Sequence, residues 1–154
     1  MCRNFNIVFL FAAVLTLWSC EKDSAEADSY ILFGHFYSEC DGEECLETYK
    51  LTDVALYEDL LDDWSGVFDF SNSLPEEKRA AVADLPDFIP AELLTDSRMT
   101  IGQPDAGDWG GIYFEIKNSS LHRHWILDQN ESNMSQSYNS FVDKINEKIA
   151  LIHQ

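Results

Sequence analysis

Few residues in this chain have types and spacings that could do chemistry. Cys40 and Cys45 flank Asp41-Gly42-Glu43-Glu44. Two thiols this close can form a disulfide in an oxidising compartment, exchange electrons, or share a metal. A metal needs further ligands nearby, and neither C-x-x-C nor a second cysteine pair accompanies them. A structural disulfide that pins the turn is therefore expected between Cys40 and Cys45. His122 and His124 stand on either side of Arg123, so on a strand they share one face. With Glu115 or His35 beside them they are candidate zinc ligands, although no third ligand is fixed by spacing. Exposed strand histidines are the commoner cause of such a pattern. Asp105 and Asp108 lie in the glycine-rich stretch 101–111, IGQPDAGDWGG. They are candidates for a calcium site or for paired-acid hydrolysis. Lysine and arginine are missing from this stretch, which argues against phosphate binding, and a structured turn before a strand is the expectation. No G-x-S-x-G, H-E-x-x-H or Walker loop is present, and no cofactor is implied.

The other two cysteines are accounted for at the N-terminus. Arg3 supplies the early positive charge, and residues 7–18 (IVFLFAAVLTLW) are almost wholly apolar. This has the form of a secretory signal and is too short for a comfortable membrane span. It ends Leu17-Trp18-Ser19-Cys20, which resembles a bacterial lipobox, with lipid on Cys20 and removal of residues 1–19. Cys2 leaves with that segment. Residues 20–29 are small, polar and charged, and read as a flexible tether. The remaining residues, 30–154, are expected to form one domain.

Charge bounds the partners. Lys+Arg number 10 and Asp+Glu 28, a formal charge of −18. Loss of Arg3 with the signal makes it −19. Such a surface repels phosphate backbones, so nucleic acid is excluded as a partner. It suits a soluble domain, a basic partner or cations. With 45% hydrophobic residues the chain can build a real core.

The elements that must position these residues are legible in outline. Residues 30–51 (YILFGHFYSECDGEECLETYKL) hold two aromatic and β-branched runs around Asp41-Gly42, a strong hairpin signal. Facing cysteines would pair Ser38 with Glu47, Phe36 with Tyr49 and Gly34 with Leu51. Gly34 should mark a bulge or a place where another side chain packs over bare backbone. Residues 54–57 suggest a third strand. The acidic run around residues 58–64 reads as a solvated face. Ser73-Leu74-Pro75-Glu76 predicts a capped helix running to Leu85, where Pro86 ends it. Pro90 should start a short turn of helix. Residues 111–117 and 121–128 form a second hairpin around Asn118-Ser119-Ser120. Tyr138, Phe141, Val142, Ile145, Ile149 and Ile152 follow helical spacing, with Asp143, Lys144, Glu147 and Lys148 on the wet side. The fold class is thus α+β. An antiparallel sheet of about four to five strands, built from two hairpins, is covered by a C-terminal amphipathic helix and a shorter middle helix.

ILFGHFY, the C-x4-C turn, the IG-PD--D-GG loop, W-L-D-Q and FVDKINEKI together resemble a family of small uncharacterised lipoproteins of Bacteroidota. Lys22-Asp23 after the lipobox also resembles the surface-export signal of such lipoproteins. The resemblance carries no biochemical activity. It implies two cysteines at the positions of Gln103 and Ala106, and both are missing here, which weakens a redox or catalytic role for this loop.

The sequence points to a cell-envelope lipoprotein. It would be held to the outer membrane through lipid on Cys20, at the periplasmic face or the cell surface, and would act as a non-catalytic binding or structural module. Its partner would be another envelope protein or a basic molecule. The alternative is a metal-binding protein or metal-dependent enzyme using His122 and His124, with His35, Asp105 and Asp108 as further candidates.

Overall fold

The computed structural model describes residues 29–40, 43–63 and 65–154. The expected signal segment, Cys20 and the tether as far as residue 28 lie outside the described residues. In chain order the strands are β1 (Tyr30–Phe36), β2 (Leu46–Leu51), β3 (Leu56–Glu58), β4 (Asn72–Ser73), β5 (Thr100–Ile101), β6 (Gly111–Lys117) and β7 (His122–Asp128). The helices are α1 (Glu76–Val82), α2 (Ala91–Thr95) and α3 (Gln136–Ile152). One sheet of seven strands runs β4-β3-β2-β1-β6-β7-β5. All its pairings are antiparallel except β5 on β7.

The α+β class and both hairpins are as the sequence predicts. The strand count is higher than four to five, because β4 and β5 are only two residues long. A pairing that short leaves no alternation to read.

β1 is the central strand, flanked by β2 and β6. Its register with β2 differs from the expected one. His35 pairs with Glu47, Phe33 with Tyr49 and Ile31 with Leu51. The cause lies in the turn. Residues Glu43–Cys45 form a 3-10 turn, and the Tyr37 N–H donates to the Cys45 carbonyl at 2.8 Å. Cys40 therefore stands in the loop, not opposite Cys45 in the ladder. The offset is three residues, an odd number, so it changes which β1 side chains share a face with Tyr49 and Leu51. Ile31 and Phe33 take that face instead of Leu32 and Phe36. Gly34 lies in an unbroken ladder, and a Cβ there would come within 1.9 Å of the Glu47 carbonyl oxygen. The neighbouring strand's backbone, neither a bulge nor an overlying side chain, is what requires glycine.

The face carrying Ile31, Phe33, Tyr49, Phe114 and Trp125 is the core face, and α3 covers it. The Phe141 ring meets Phe114 edge-on with centroids 4.8 Å apart. Each fully buried side chain of this size contributes roughly 1.5–3 kcal/mol. Lys148 corrects the expected wet side of α3. It lies three residues after Ile145 and four before Ile152, at the border of the apolar stripe. There α3 packs on α1, and the Lys148 side chain is 7% exposed. Its ammonium donates to the Ala81 carbonyl at 2.8 Å and pairs with Asp84 at 2.6 Å.

The middle helix also needs correction. It runs Glu76–Val82, shorter than residues 73–85, with Pro75 at the cap position and no side-chain cap. Ser73 belongs to β4 and pairs with Tyr57, and the next N–H, of Leu74, is taken by the Leu56 carbonyl. Sheet pairing thus claims the residue that the capping pattern would use. No helix among the described residues is long and apolar enough to cross a membrane.

Candidate functional site

Strand alternation places Tyr30, Leu32 and Phe36 of β1 on the sheet face away from α3. Their ladder neighbours there are Lys117, Glu115 and Gly111 of β6, then His122, His124 and Asp128 of β7. Glu115 is the centre of this face. The Tyr30 hydroxyl donates to one carboxylate oxygen at 2.8 Å, and the Tyr113 hydroxyl donates to the other at 2.5 Å. His122 Nε2 lies 3.0 Å from the first. Burial pushes the Glu115 pKa up, but hydrogen bonds from Tyr113, Tyr30 and His122 outweigh it, and the net direction is down. Burial, then Glu115, push the Tyr113 hydroxyl pKa up. The Glu115 side chain is 10% exposed, whereas the His122 ring is 61% exposed.

Residues 59–63 and 65–71 lie outside helix and strand, and the second stretch packs against this face. Phe68 and Phe70 stack on each other, Phe68 contacts the Tyr113 ring, and the Lys50 ammonium lies 5.7 Å from the Phe70 ring centre. Asp59 closes the loop. Its N–H donates to the Thr48 carbonyl, and its carboxylate accepts from the Asp69 N–H at 2.6 Å. The Leu60 N–H donates to the Asp69 carbonyl at 3.1 Å. Such compact loops with joined ends are often functional. This one leaves Leu60 50%, Leu61 43% and Val67 63% exposed. The expected solvated acidic stretch is therefore apolar as well as acidic.

A second carboxylate set sits on the core face. The Tyr49 hydroxyl donates to Glu47 at 2.7 Å, and His153 Nε2 lies 2.9 Å from the same hydroxyl. Because that hydroxyl has one proton, His153 is the donor to it when Glu47 is the acceptor. Burial, then Glu47, push the Tyr49 hydroxyl pKa up.

The candidate ligands do not converge. His122 and His124 do share a face, and His124 stacks on Tyr113. His35 lies on the other face and at the other end of β1, with Nε2 3.1 Å from the Glu44 carbonyl. Asp105 belongs to the loop before β6, where one oxygen accepts from the Gly110 N–H at 3.2 Å and the other from the Ser38 hydroxyl. Asp108 is exposed in the same loop. Among the described residues, no three histidine, cysteine, aspartate or glutamate side chains gather as a metal site.

The same loop is anchored by Asp128, which is 1% exposed. It accepts from the Gln103 N–H, the Asn130 N–H and the Asn133 side chain at 2.7, 2.8 and 2.7 Å. Gly102, at φ +79°, passes so close that a Cβ would meet Asp128 Cβ at 2.5 Å. Cys40 and Cys45 stand at disulfide distance, with Cα atoms 5.5 Å apart.

The spacing of His122 and His124 draws attention to the histidines, whereas the tyrosines that hold Glu115 stand out less. A signal was available: Tyr113-Phe114-Glu115 and Glu47-Thr48-Tyr49 each place a carboxylate two residues from a tyrosine on a strand. That spacing puts both on one face, where the hydroxyl can satisfy a buried carboxylate. Comparison with family models, with curated proteins and with solved structures finds no match to this chain.

Proposed function

We propose that this chain is a lipid-anchored protein of the cell envelope, held through Cys20 to the outer membrane at its periplasmic face or at the cell surface. It acts as a non-catalytic binding module, and its contact element is the loop of residues 59–71. The lipobox-like Leu17-Trp18-Ser19-Cys20 and the resemblance to Bacteroidota lipoproteins support the anchor. One observation carries the binding role: a loop closed by Asp59 holds Leu60, Leu61 and Val67 in solvent. Exposed apolar side chains on an ordered loop are what a partner buries. Asp63, exposed in the loop, on a chain of formal charge −18, favours a basic protein surface over an anionic bilayer.

The test is crosslinked capture on intact cells with the lipidated protein as bait. Leu60→Ser with Val67→Ser should leave membrane attachment and circular dichroism unchanged and lose the captured partner. High salt should weaken capture. Recovery of the same partner by both forms would reject the loop as the contact. Cys20→Ala should release the protein from the membrane fraction, and retention there would reject the anchor.

The metal reading keeps one favourable observation, His122 and His124 on the Glu115 face. Stoichiometric metal in the purified domain, lost with His122→Ala, would restore it.

A further inference from the structure

A cleft of about 650 Å³ opens where the hydrophobic core meets solvent, at the end of the sheet where β1 begins. That size lies within the range of small-molecule sites. Leu51, Ile31 and Ile116 stand side by side across β2, β1 and β6 and form its floor. All three belong to the core face, so the floor continues the core. The next row inward, Tyr49, Phe33 and Phe114, is fully buried, whereas this row keeps some exposure. Ile89 and Leu121 pack against the same core cluster and, with Leu94, form the walls. Floor and walls are aliphatic and need no contribution from the outer sheet face.

Charge at the lip cancels. Arg79 lines the cleft, but its guanidinium is taken by Glu76 at 2.6 Å. Lys117 is held over the Tyr30 ring, its ammonium 5.6 Å from the ring centre. Asp53 is exposed at the same lip. With Glu76 these are two cations and two acids, and their formal charges sum to zero. A charged head would leave water for a site with no net counter-charge. An anion would also meet the field of a molecule of charge −18.

We infer that this cleft binds an uncharged single-chain aliphatic molecule of the long-chain alcohol class. Its chain lies along Leu51, Ile31 and Ile116, and its hydroxyl stays at the lip, where the Asp53 carboxylate can accept its hydrogen bond. An apolar trough that continues the core matches the chain, and the cancelled charge matches the neutral head.

This site depends neither on the lipid anchor nor on the loop of residues 59–71. All the described strands, helices and core side chains belong to residues 29–154, so the chain beginning at Glu21 retains them. Decanol, decanoate and decylammonium are titrated into that soluble chain by calorimetry, below micelle-forming concentrations. The salt is about 0.15 M, where the screening length is about 8 Å. Decanol should bind saturably and one to one. Decanoate should bind about fivefold more weakly, the scale of one exposed charge contact, and decylammonium no more tightly than decanol. Leu94→Glu, at an exposed lining position, should abolish decanol binding without changing the melting temperature. Ala83→Trp, which fills the cleft from the end of α1, should do the same. Absence of saturable decanol binding overturns the site, as does binding that survives either substitution. Decanoate binding as tightly as decanol, or decylammonium binding more tightly, overturns the uncharged headgroup.

Discussion

Glu115 shows how a single residue ties fold to chemistry. Its carboxylate accepts from two tyrosine hydroxyls, so Glu115→Gln leaves one hydroxyl facing an amide N–H₂ that cannot accept. The cost should be about 1–3 kcal/mol in urea unfolding. The pH dependence has a definite sign. The folded pKa of Glu115 lies below its ordinary value, so its contribution is fully present above the unfolded pKa of about 4.3. It is lost as pH falls through the folded value. The variant should show a shallower acid limb, and identical limbs in both proteins would exclude a hydrogen-bonded carboxylate. At Cys40 and Cys45, thiol titration of the folded domain should find no free thiol. Reduction should cost about 2 kcal/mol, the low end expected for so short a ring. Two reactive thiols would refute the bridge. Residue types were legible here in part. A pair of cysteines outside a reducing compartment predicts a bridge from chemistry alone. The Tyr113–Glu115 and Glu47–Tyr49 sets needed the further step of asking what satisfies a buried carboxylate. His153 and His122 arrive from other elements, which local spacing does not reveal.

At the scale of elements, long periodic segments were legible and short ones were not. The stripe from Tyr138 to Ile152 and the runs in β1, β2, β6 and β7 follow from alternation, because burial on one face demands it. Register was not legible, since it depends on how many residues the turn consumes, and Glu43–Cys45 consumes them as a 3-10 turn. The start of α1 was misplaced because Ser73 has two physical uses, cap and ladder, and β3 takes it. Residues 54–64 fit a helix period almost as well as a strand; Leu56–Glu58 pair as β3, and residues 59–63 are neither helix nor strand. Asp59 explains this: its carboxylate supplies an acceptor for the Asp69 N–H, which holds the loop closed without regular structure. Asp59→Ala should orphan that donor and cost about 1–3 kcal/mol locally. The expected result is faster proteolysis and hydrogen exchange within residues 59–71, with protection in β1 and β6 unchanged. Uniform loss of protection across the sheet would mean that Asp59 supports the whole fold and not the loop.

For the whole molecule the dominant fact is charge. At −18 the folded chain repels itself, and compaction worsens that repulsion. Acidification toward the carboxylate range lowers the net negative charge, so it should first relieve this repulsion. A second effect opposes this at lower pH. Hydrogen bonds from Arg98 hold the Asp96 carboxyl below the ordinary range, a hydrogen bond from Lys148 does the same for Asp84, and Glu115 is also lowered. Groups with depressed folded pKa values contribute above their unfolded pKa and lose that contribution in acid. The two effects place the stability maximum between about pH 4 and pH 6. Salt separates them. Raising ionic strength from about 0.01 M to about 1 M shortens the screening length from ~30 Å to ~3 Å, which relieves long-range repulsion while leaving buried contacts nearly untouched. Thermal unfolding at pH 7 should therefore shift up with sodium chloride. A relief of ~1 kcal/mol corresponds to roughly 4 °C in a domain of this size. The shift should shrink at pH 5, where the net charge is smaller. A melting temperature that falls with salt at pH 7 would show that ion pairs such as Lys148–Asp84 outweigh self-repulsion, and that the acidic surface is not a burden on the fold. A shift of equal size at both pH values would instead point to anion or cation binding, because screening must scale with the charge that remains.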